Sequence, residues 1–299
     1  MESNRTIHIN PLLLIDGDEV VYKAAHASQN VVYDVYKEGD IVETFKYKKD
    51  ATLFCNNPFS SKEGYYIEKR IEPKEEWVAY ANTRTIIRDM VQGMNATNYS
   101  IYLSGPTNFR TEYATITEYK GNRDPEARPF YYKHIKDYLI NEELAIVTSH
   151  QEADDALGIM QYFYRDQNKY DPVIVSQDKD LRMIEGYYYD TDAKKLNFIS
   201  KEEGDRWFFI QLLAGDNTDC IPGIHRVGYT TAERILVPFR TNQELFLEVT
   251  RQYEVAREKG NLRFETEKSI PEIILELGRL LWIRRKPDQI WNPELLCMA

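Results

Sequence analysis

The sequence predicts an α/β fold in which a mainly parallel sheet is covered by helices, and three observations support this. A continuous apolar run at residues 12–15 ends at Asp16, which is typical of a buried parallel strand. Further strand-like runs at 99–103, 145–148 and 172–176 are separated by helical patterns. Strands that alternate with helices favour a parallel sheet with helices on both faces. In such sheets, functional sites form beyond the carboxyl ends of the strands.

The chain also contains an expected insertion and an all-helical region. Residues 31–47 predict a β-hairpin, and an extended piece near 65–71 follows. We interpret residues 31–71 as an insertion between the first strand and the helix after it. From residue 204 onward the patterns are only helical. The predicted organisation is an α/β core over 1–203 and a helical region over 204–299, packed as one unit.

Composition places the chain among soluble globular proteins, since 42% of its 299 residues are apolar and 29% are charged. No apolar run reaches membrane-spanning length, so we expect no membrane partner. The scattered Cys55, Cys220 and Cys297 suggest neither disulfides nor a thiolate metal site and favour the cytoplasm. The net charge of −10 argues against a nucleic-acid partner, although clustered acidic residues that hold metal ions reverse the local field.

Acidic residues follow three of the predicted strands and one predicted helix. In chain order they are Asp16, then Glu152, Asp154 and Asp155, then Asp178 and Asp180, and finally Asp216 and Asp219. Carboxylates that converge at one sheet edge need a compensating charge, and their hard oxygens suit Mg²⁺ or Mn²⁺. Two such ions can hydrolyse a phosphodiester. Taken singly, Asp154 has the alternative interpretation of a helix N-cap, and Asp178 and Asp180 that of solvated side chains.

Six short motifs then occur in a characteristic order. They are Ile15-Asp16-Gly17-Asp18, Phe109-Arg110, Tyr119-Lys120-Gly121-Asn122-Arg123, Glu152-Ala153-Asp154-Asp155, Ser176-Gln177-Asp178-Lys179-Asp180 and Gly215-Asp216-Asn217-Thr218-Asp219 with Pro222-Gly223-Ile224 and Val227-Gly228. With them, the chain resembles the phage 5′→3′ exonuclease and flap endonuclease family of PIN-like structure-specific nucleases, from Leu12 to about Leu236. The resemblance implies that the eight acidic residues hold two Mg²⁺ or Mn²⁺ ions.

The same resemblance implies roles for further residues. Lys120 and Arg123 look like the basic residues of a helical arch, here about 107–137, that contact the scissile phosphate. Tyr119 is expected to stack on a base, and Arg110 to contact phosphate or to form a surface salt bridge.

A second DNA contact is implied by the glycine-containing turn before residue 229. Gly223, Ile224, Val227 and Gly228 resemble a helical hairpin that grips duplex DNA and can hold a monovalent cation. The implied activity is a Mg²⁺-dependent 5′→3′ exodeoxyribonuclease or flap endonuclease. Its substrate is DNA with a 5′ end, flap or nick, or an RNA–DNA hybrid, in phage DNA replication or degradation.

Two alternatives remain open. Where the family carries another acid, this chain has Ser104 or Gly105, so it could bind DNA ends without cleaving them. Alternatively, Asp16 and Asp18 match the nucleophile and general acid of haloacid-dehalogenase-type phosphatases, which would leave the later acids unused. After residue 237 no segment matches, and the basic cluster 284–286 favours a solvated helix end over a DNA contact.

Overall fold

The computed structural model describes residues 11–56 and 64–297. These residues form two compact units. The first contains the chain up to Asp18, Met90–Pro125 and the chain from Leu144 onward, and the second contains Glu19–Asp89 and Glu126–Glu143. The predicted insertion therefore lies in the second unit, and the predicted boundary at residues 203 and 204 falls inside the first.

A six-stranded sheet forms the centre of the first unit, in the order β6-β5-β1-β7-β8-β9. Its strands are β1 (Pro11–Asp16), β5 (Asn98–Leu103), β6 (Ile146–Val147), β7 (Asp171–Ser176), β8 (Gly186–Asp190) and β9 (Lys195–Ile199). All neighbouring strands are parallel except β8 and β9, which are antiparallel. The predicted fold class, a mainly parallel sheet with flanking helices, is confirmed.

The central position of β1 follows from its sequence. Leu13, Leu14 and Ile15 have no exposed surface, and β5, β7 and the helix α6 (Ala153–Gln167) all pack against the strand. A strand that is buried on both faces requires a continuous apolar run rather than alternation. At its end, Asp16 is the first polar side chain and lies at the carboxyl edge of the sheet.

Helices make up much of both units. They are α1 (Gly17–Ala27), α2 (Lys48–Cys55), α3 (Glu76–Gly93), α4 (Arg110–Tyr113), α5 (Tyr132–Asn141), α6 (Ala153–Gln167), α7 (Lys201–Ala214), α8 (Tyr229–Leu236), α9 (Asn242–Glu258), α10 (Ile270–Leu281) and α11 (Glu294–Cys297). Short 3₁₀ turns lie at Pro125–Ala127 and Lys179–Met183. Helix α6 packs against β1, β5 and β7, while α7 contacts α8, α9 and α10.

The structure corrects two expectations about element order. Helix α1 begins immediately after Asp16, so the insertion follows this helix rather than preceding it. A side chain at Gly17 would lie 2.6 Å from the carbonyl oxygen of Tyr102, so glycine allows this close start. The region after residue 204 is not only helical either, since Gly215–Asp216 (β10) and Ile221–Pro222 (β11) form a small antiparallel pair.

The second unit contains the predicted hairpin and the extended piece. Strands β2 (Gln29–Lys37), β3 (Asp40–Phe45) and β4 (Tyr65–Pro73) form an antiparallel sheet in the order β3-β2-β4, against which α2 packs. The buried carboxylate of Asp34 accepts hydrogen bonds from Arg70 Nε at 2.5 Å and from Thr44 Oγ1 at 2.6 Å. Among the described residues, no helix is long and apolar enough to cross a membrane.

Candidate active site

The carboxyl ends of β1 and β7 bring three acidic residues of the predicted metal set to one edge of the sheet. Asp16 ends β1, and Asp178 and Asp180 lie in the turn that follows the neighbouring strand β7. Ser176 Oγ, at the end of β7, donates a hydrogen bond of 2.9 Å to Asp16 Oδ2. The two strand ends are therefore joined directly through their side chains.

The turn after β7 is stabilised by its own polar groups. The N–H of Asp178 donates to Ser176 Oγ at 3.0 Å, and Asp178 Oδ1 accepts from the N–H of Asp180 at 2.8 Å. Gln211 Nε2, on α7, donates to Asp180 Oδ1 at 2.6 Å. These bonds orient both carboxylates, so the sequence Asp178-Lys179-Asp180 is a structured turn and not a solvated loop.

The start of α6 contributes the next three acids. Glu152 precedes the helix, and Asp154 and Asp155 lie in its first turn. Carboxylates are favoured there because the first N–H groups of a helix have no partner within the helix. Asp155 Oδ2 accepts from the N–H of Glu152 at 3.1 Å, which closes the turn. The capping contact is therefore made by Asp155, and Asp154 is not needed for it.

Asp155 is held by a buried ion pair with Arg110. Nη1 of Arg110 lies 2.6 Å from Asp155 Oδ2, and Nη2 lies 2.9 Å from Oδ1. Arg110 also donates to the carbonyl oxygens of Leu280 and Trp282, at 2.8 and 2.7 Å. Because the guanidinium is only 2% exposed and binds on all sides, the prediction that Arg110 contacts DNA or forms a surface salt bridge is wrong. Asp155 is placed as its partner.

Asp154 carries the clearest sign of crowded negative charge. Burial raises the pKa of Asp154 well above its ordinary value, and the charge of Asp178 raises it further. Asp16 and Glu152 act in the same direction, and together these effects outweigh the opposing charge of Lys120. Carboxylates from β1, from the start of α6 and from the turn after β7 are therefore close enough to Asp154 to disfavour its ionisation.

The turn after β7 shows the same effect. Burial, followed by the charges of Asp178 and Asp216, raises the pKa of Asp180 to about 8. Burial also raises the pKa of Asp178. Burial acts on Asp216 too, but the hydrogen bond that Lys179 Nζ donates to its Oδ2, at 2.9 Å, lowers the pKa of Asp216. Lys179 therefore acts to lower the pKa of all three acids, but only that of Asp216 falls below its ordinary value.

Lys120 and Arg123 lie against two other acids of the predicted set. Lys120 Nζ contacts Glu152 Oε1 and lies 3.4 Å from Asp219 Oδ2, while Arg123 Nη2 lies 2.8 Å from Asp219 Oδ1. Tyr119 Oη lies 2.8 Å from Glu152 Oε2 and 3.0 Å from Asp219 Oδ2. The ring of Tyr119 is only 8% exposed, so the predicted stacking of this ring on a base is wrong. Tyr119 instead joins two acids.

The donor chemistry at this edge fits a hydrated divalent cation. Within the part of the chain that the structure describes, no three acidic, His or Cys side chains surround one point as ready ligands. The charges of Asp178, Asp16 and Glu152 all raise the pKa of Asp154, which places these carboxylates near one another. A hydrated Mg²⁺ ion fits such an arrangement, because Mg²⁺ keeps several waters and needs only one or two direct carboxylates.

The predicted duplex-gripping turn lies between β11 and α8. Ile224 and Val227 are buried in the core, and the N–H of Ile224 donates to the carbonyl oxygen of Leu213 at 2.9 Å. Gly223 passes so close to α7 that a side chain would lie 2.2 Å from a backbone atom of Ala214. Gly228 precedes α8 without a side-chain cap and with open space around it. The turn is thus rigid, with the uncapped start of α8 at its end.

Ser104 stands at the position where the family carries another acid, and it makes two hydrogen bonds there. Ser104 follows β5, and its Oγ accepts from the N–H of Ala153 at the start of α6, at 2.9 Å. The N–H of Ser104 donates to Asp18 Oδ2 at 3.0 Å. Asp18 therefore brings a carboxylate to the end of β5 from the first turn of α1. This contact does not resemble the general-acid role that the phosphatase alternative gives to Asp18.

Some residues of the site carry no recognisable signal in the sequence. Lys179, Gln211 and Tyr229 all bind acids of the predicted set, and Tyr229 Oη accepts a hydrogen bond of 2.6 Å from Lys179 Nζ. Of the three, only Lys179 could have been suspected from the sequence, because it stands between the predicted ligands Asp178 and Asp180. Gln211 and Tyr229 lie on helices far along the chain, where only the fold shows that they approach the acids.

The chain shares sequence similarity with bacterial 5′ nucleases, although no family model matches it. The 5′-3′ exonuclease of Buchnera aphidicola subsp. Schizaphis graminum is 30% identical over 158 residues, which cover 49% of this chain and 54% of that protein. The 5′-3′ exonuclease of Mycoplasmopsis pulmonis is 26% identical over 214 residues, 67% of this chain and 70% of that protein. DNA polymerase I of Lactococcus lactis subsp. lactis is 26% identical over 277 residues, 86% of this chain. This chain spans only 27% of that polymerase and about half of the Buchnera exonuclease.

Solved structures share the fold. A protein of phage T5 that was co-crystallised with metal ions gives a TM-score of 0.56 at 13% identity, over 91% of this chain and 89% of that one. The T5 flap endonuclease in a pseudo-enzyme–product complex with DNA and metal ions gives 0.50 at 15% identity, over 96% and 88%. At these identities the structures show a common fold. Sequence and fold together confirm that this chain resembles the PIN-like 5′→3′ exonuclease and flap endonuclease family.

Proposed function

We propose that this chain is a metal-dependent nuclease that hydrolyses phosphodiester bonds at or near the 5′ ends of DNA. The observation that carries the proposal is the group of carboxylates that β1, the start of α6 and the turn after β7 bring to the carboxyl edge of the parallel sheet, with Lys120 and Arg123 beside it. The similarity to curated 5′-3′ exonucleases and the fold shared with the T5 nuclease support the same reaction class.

Two Mg²⁺ or Mn²⁺ ions are the cofactors that this donor set favours. The carboxylates that we assign to them are Asp16, Glu152, Asp154, Asp178, Asp180, Asp216 and Asp219. Asp155 is left out because both of its oxygens bind Arg110. When bound, two such ions lower the pKa of a water molecule and stabilise the charge that builds on a phosphodiester during hydrolysis.

Lys120 and Arg123 are the groups that we assign to the scissile phosphate. Their side chains neutralise Glu152 and Asp219, so they lie at the same acids that are assigned to the metal ions. A phosphate oxygen would compete with these carboxylates for the two cations. Cations that meet the charge developing on phosphoryl oxygens lower the barrier to hydrolysis. The side chain of Arg123 is 53% exposed and is therefore accessible to a substrate.

DNA with a 5′ end, flap or nick is the proposed partner, and an RNA–DNA hybrid is a second possible substrate. We assign the main chain of the turn with Gly223, Ile224, Val227 and Gly228 to duplex backbone, because the side chains of Ile224 and Val227 are buried. The uncapped start of α8 supports this assignment, because free N–H groups and the helix dipole favour phosphate. A monovalent cation bound by carbonyl oxygens of this turn is part of the proposal. The resemblance to phage nucleases supports a role in the replication or degradation of phage DNA.

Cleavage mapping tests the proposal. The protein is incubated with end-labelled 5′-flap, nicked and blunt DNA in Mg²⁺, Mn²⁺ or EDTA, and the products are sized. We expect cleavage near the 5′ end with either metal and none in EDTA. Asp154→Asn should abolish it, while Asp166→Asn, which changes an exposed carboxylate at the other end of α6, should not. Lys120→Ala should reduce the rate about 100-fold, as for other charge-stabilising groups.

One observation favours a second candidate function. The end of β5 carries Ser104 and its hydrogen bonds where the family has another acid, which fits a relative that binds DNA ends without cleaving them. In that case the wild type binds the flap and nicked substrates tightly and yields no product with any metal. Product formation by the wild type would exclude this candidate and show that the acid is dispensable.

A further inference from the structure

The junction of β3 and α2 in the second unit exposes a short basic and aromatic segment. Lys46, Tyr47, Lys48 and Lys49 are consecutive, and all four are exposed. Tyr47 has 53% of its surface exposed, which is high for a large aromatic ring. A single acid, Asp50, follows these three lysines directly in the sequence.

The lysines are arranged around the ring. Nζ of Lys46 lies 5.5 Å from the centroid of Tyr47, and Nζ of Lys49 lies 5.6 Å from it. Both ammonium groups lie over this exposed ring, and the combination offers two kinds of contact. The ring can stack on a base of any identity, and the ammonium groups can bind the phosphates on either side of that base.

Further rings pack against one another where α2 meets the small sheet. The ring of Phe45 lies 5.5 Å from that of Phe54, and Phe54 lies 6.1 Å from Tyr65. Nζ of Lys37 is 4.9 Å above Tyr65, which repeats the pairing of a cation with a ring. Rings and cations that alternate over a surface are typical of proteins that bind unpaired nucleic-acid strands.

A second basic cluster, at residues 284–286, differs from the lysines at 46–49 because its arginines are buried. Arg284 and Arg285 are 5% and 8% exposed, so the interpretation of this cluster as a solvated helix end is wrong. Arg285 Nη2 lies 2.8 Å from Asp205 Oδ1, and Arg284 Nη1 donates to Gln151 Oε1 at 3.1 Å. These cations serve internal contacts. The lysines at 46–49, by contrast, remain accessible to a partner.

We propose that Lys46, Tyr47, Lys48 and Lys49, which we call the basic-aromatic segment, bind a single-stranded stretch of the DNA substrate. The partner assignment rests on the proposed function, since a nuclease that acts at 5′ ends, flaps and nicks meets unpaired strands. The segment binds through stacking and phosphate contacts and reads no base sequence, because neither a lysine nor a ring face distinguishes one base from another.

The salt dependence of binding tests the proposal. Binding of a fluorescent single-stranded oligonucleotide to the full chain is measured by anisotropy in EDTA, over a series of KCl concentrations. Each phosphate contact contributes about 0.7 to the slope of log K against log salt for single strands. The triple variant Lys46→Ala, Lys48→Ala and Lys49→Ala should therefore lower the slope by about 2. Tyr47→Ala should weaken binding about tenfold and leave the slope unchanged.

Two matched variants control for charge and folding. The triple change Lys169→Ala, Lys194→Ala and Lys195→Ala removes the same charge from exposed sites in the first unit and should leave the slope as in the wild type. Replacing the three lysines at 46, 48 and 49 by arginine keeps the charge and should also preserve the slope.

The outcomes separate this proposal from the proposed function. If the alanine triple at 46–49 keeps the wild-type slope, or if the control triple loses as much, the segment does not bind the strand. If the segment binds vesicles containing anionic lipid and not DNA, the assigned partner is wrong. If the wild type cleaves DNA with metal but the alanine triple keeps the wild-type slope, this proposal is wrong and the proposed function stands. A lowered slope without cleavage supports the segment as a DNA contact and contradicts the nuclease.

Discussion

Replacing Arg110 by methionine should strongly destabilise the first unit, because it leaves the carboxylate of Asp155 buried without its cation. Asp155 has no exposed surface, and its two bonds to Arg110 are 2.6 and 2.9 Å long. Removing one partner of a buried ion pair typically costs about 3–5 kcal/mol. The bonds of Arg110 to the carbonyl oxygens of Leu280 and Trp282 are lost as well. At about 2 °C per kcal/mol for a large domain, the midpoint of thermal unfolding should fall by about 6–10 °C.

Differential scanning calorimetry measures this loss, and a second substitution tests its cause. In the double variant Arg110→Met with Asp155→Leu, no charge remains unpaired, so much of the lost stability should return. Arg123→Met serves as the control, because this side chain is half exposed and its single ion pair contributes about 0–1 kcal/mol. If Arg110→Met unfolds at the wild-type temperature and has lost DNA affinity, the reasoning is refuted and Arg110 contacts DNA after all.

Three further predictions concern other parts of the chain. Mg²⁺ or Mn²⁺ at 100 times its dissociation constant should stabilise the wild type by about 2.7 kcal/mol in a thermal-shift assay. The variant Asp154→Asn should be stabilised much less, and equal shifts for the two proteins would contradict the metal assignment. Gly215→Ala should destabilise the chain by more than about 1 kcal/mol in urea unfolding, because φ is +71° and a side chain would lie 2.4 Å from the N atom of Gly223. Hydrogen bonds from Arg70 lower the pKa of Asp34, so its ionised form stabilises the fold above pH 4, and this contribution disappears as the pH falls through the lowered pKa. Asp34→Asn should therefore flatten the fall in melting temperature between pH 5 and pH 2, and an unchanged fall would exclude this pair as its source.

The sequence predicted the parts of the fold that depend on local pattern. The apolar run before Asp16 could only be a strand buried on both faces, and the structure places it at the centre of the sheet. Strand β8, Gly186–Asp190, was missed because three consecutive tyrosines show no alternation and suit a helix equally well. The pair β10 and β11 has two residues in each strand, which is too short for any periodicity.

The contacts of the predicted site residues depend on long-range packing and could not be predicted in the same way. The sequence around Arg110 does not indicate its partners. These are Asp155, Leu280 and Trp282, which are 45 to 172 residues away in the chain. Tyr119 beside Lys120 predicts a stacking surface equally well whether the ring is exposed or buried. Burial decides the role of both residues, and burial follows from how the C-terminal helices pack on the sheet.

The net charge of −10 is weaker evidence against a nucleic-acid partner than it first seems, because the structure concentrates part of it in one place. Lys120 and Arg123 pair with Glu152 and Asp219. The pKa of Asp154 is nevertheless raised, first by burial and then by the charges of Asp178, Asp16 and Glu152, so this edge does not keep all of its carboxylates ionised without further positive charge. A folded chain keeps such an arrangement at a cost in stability, and a divalent cation would remove that cost. The same cation would turn the edge of the sheet from a surface that repels phosphate into one that attracts it.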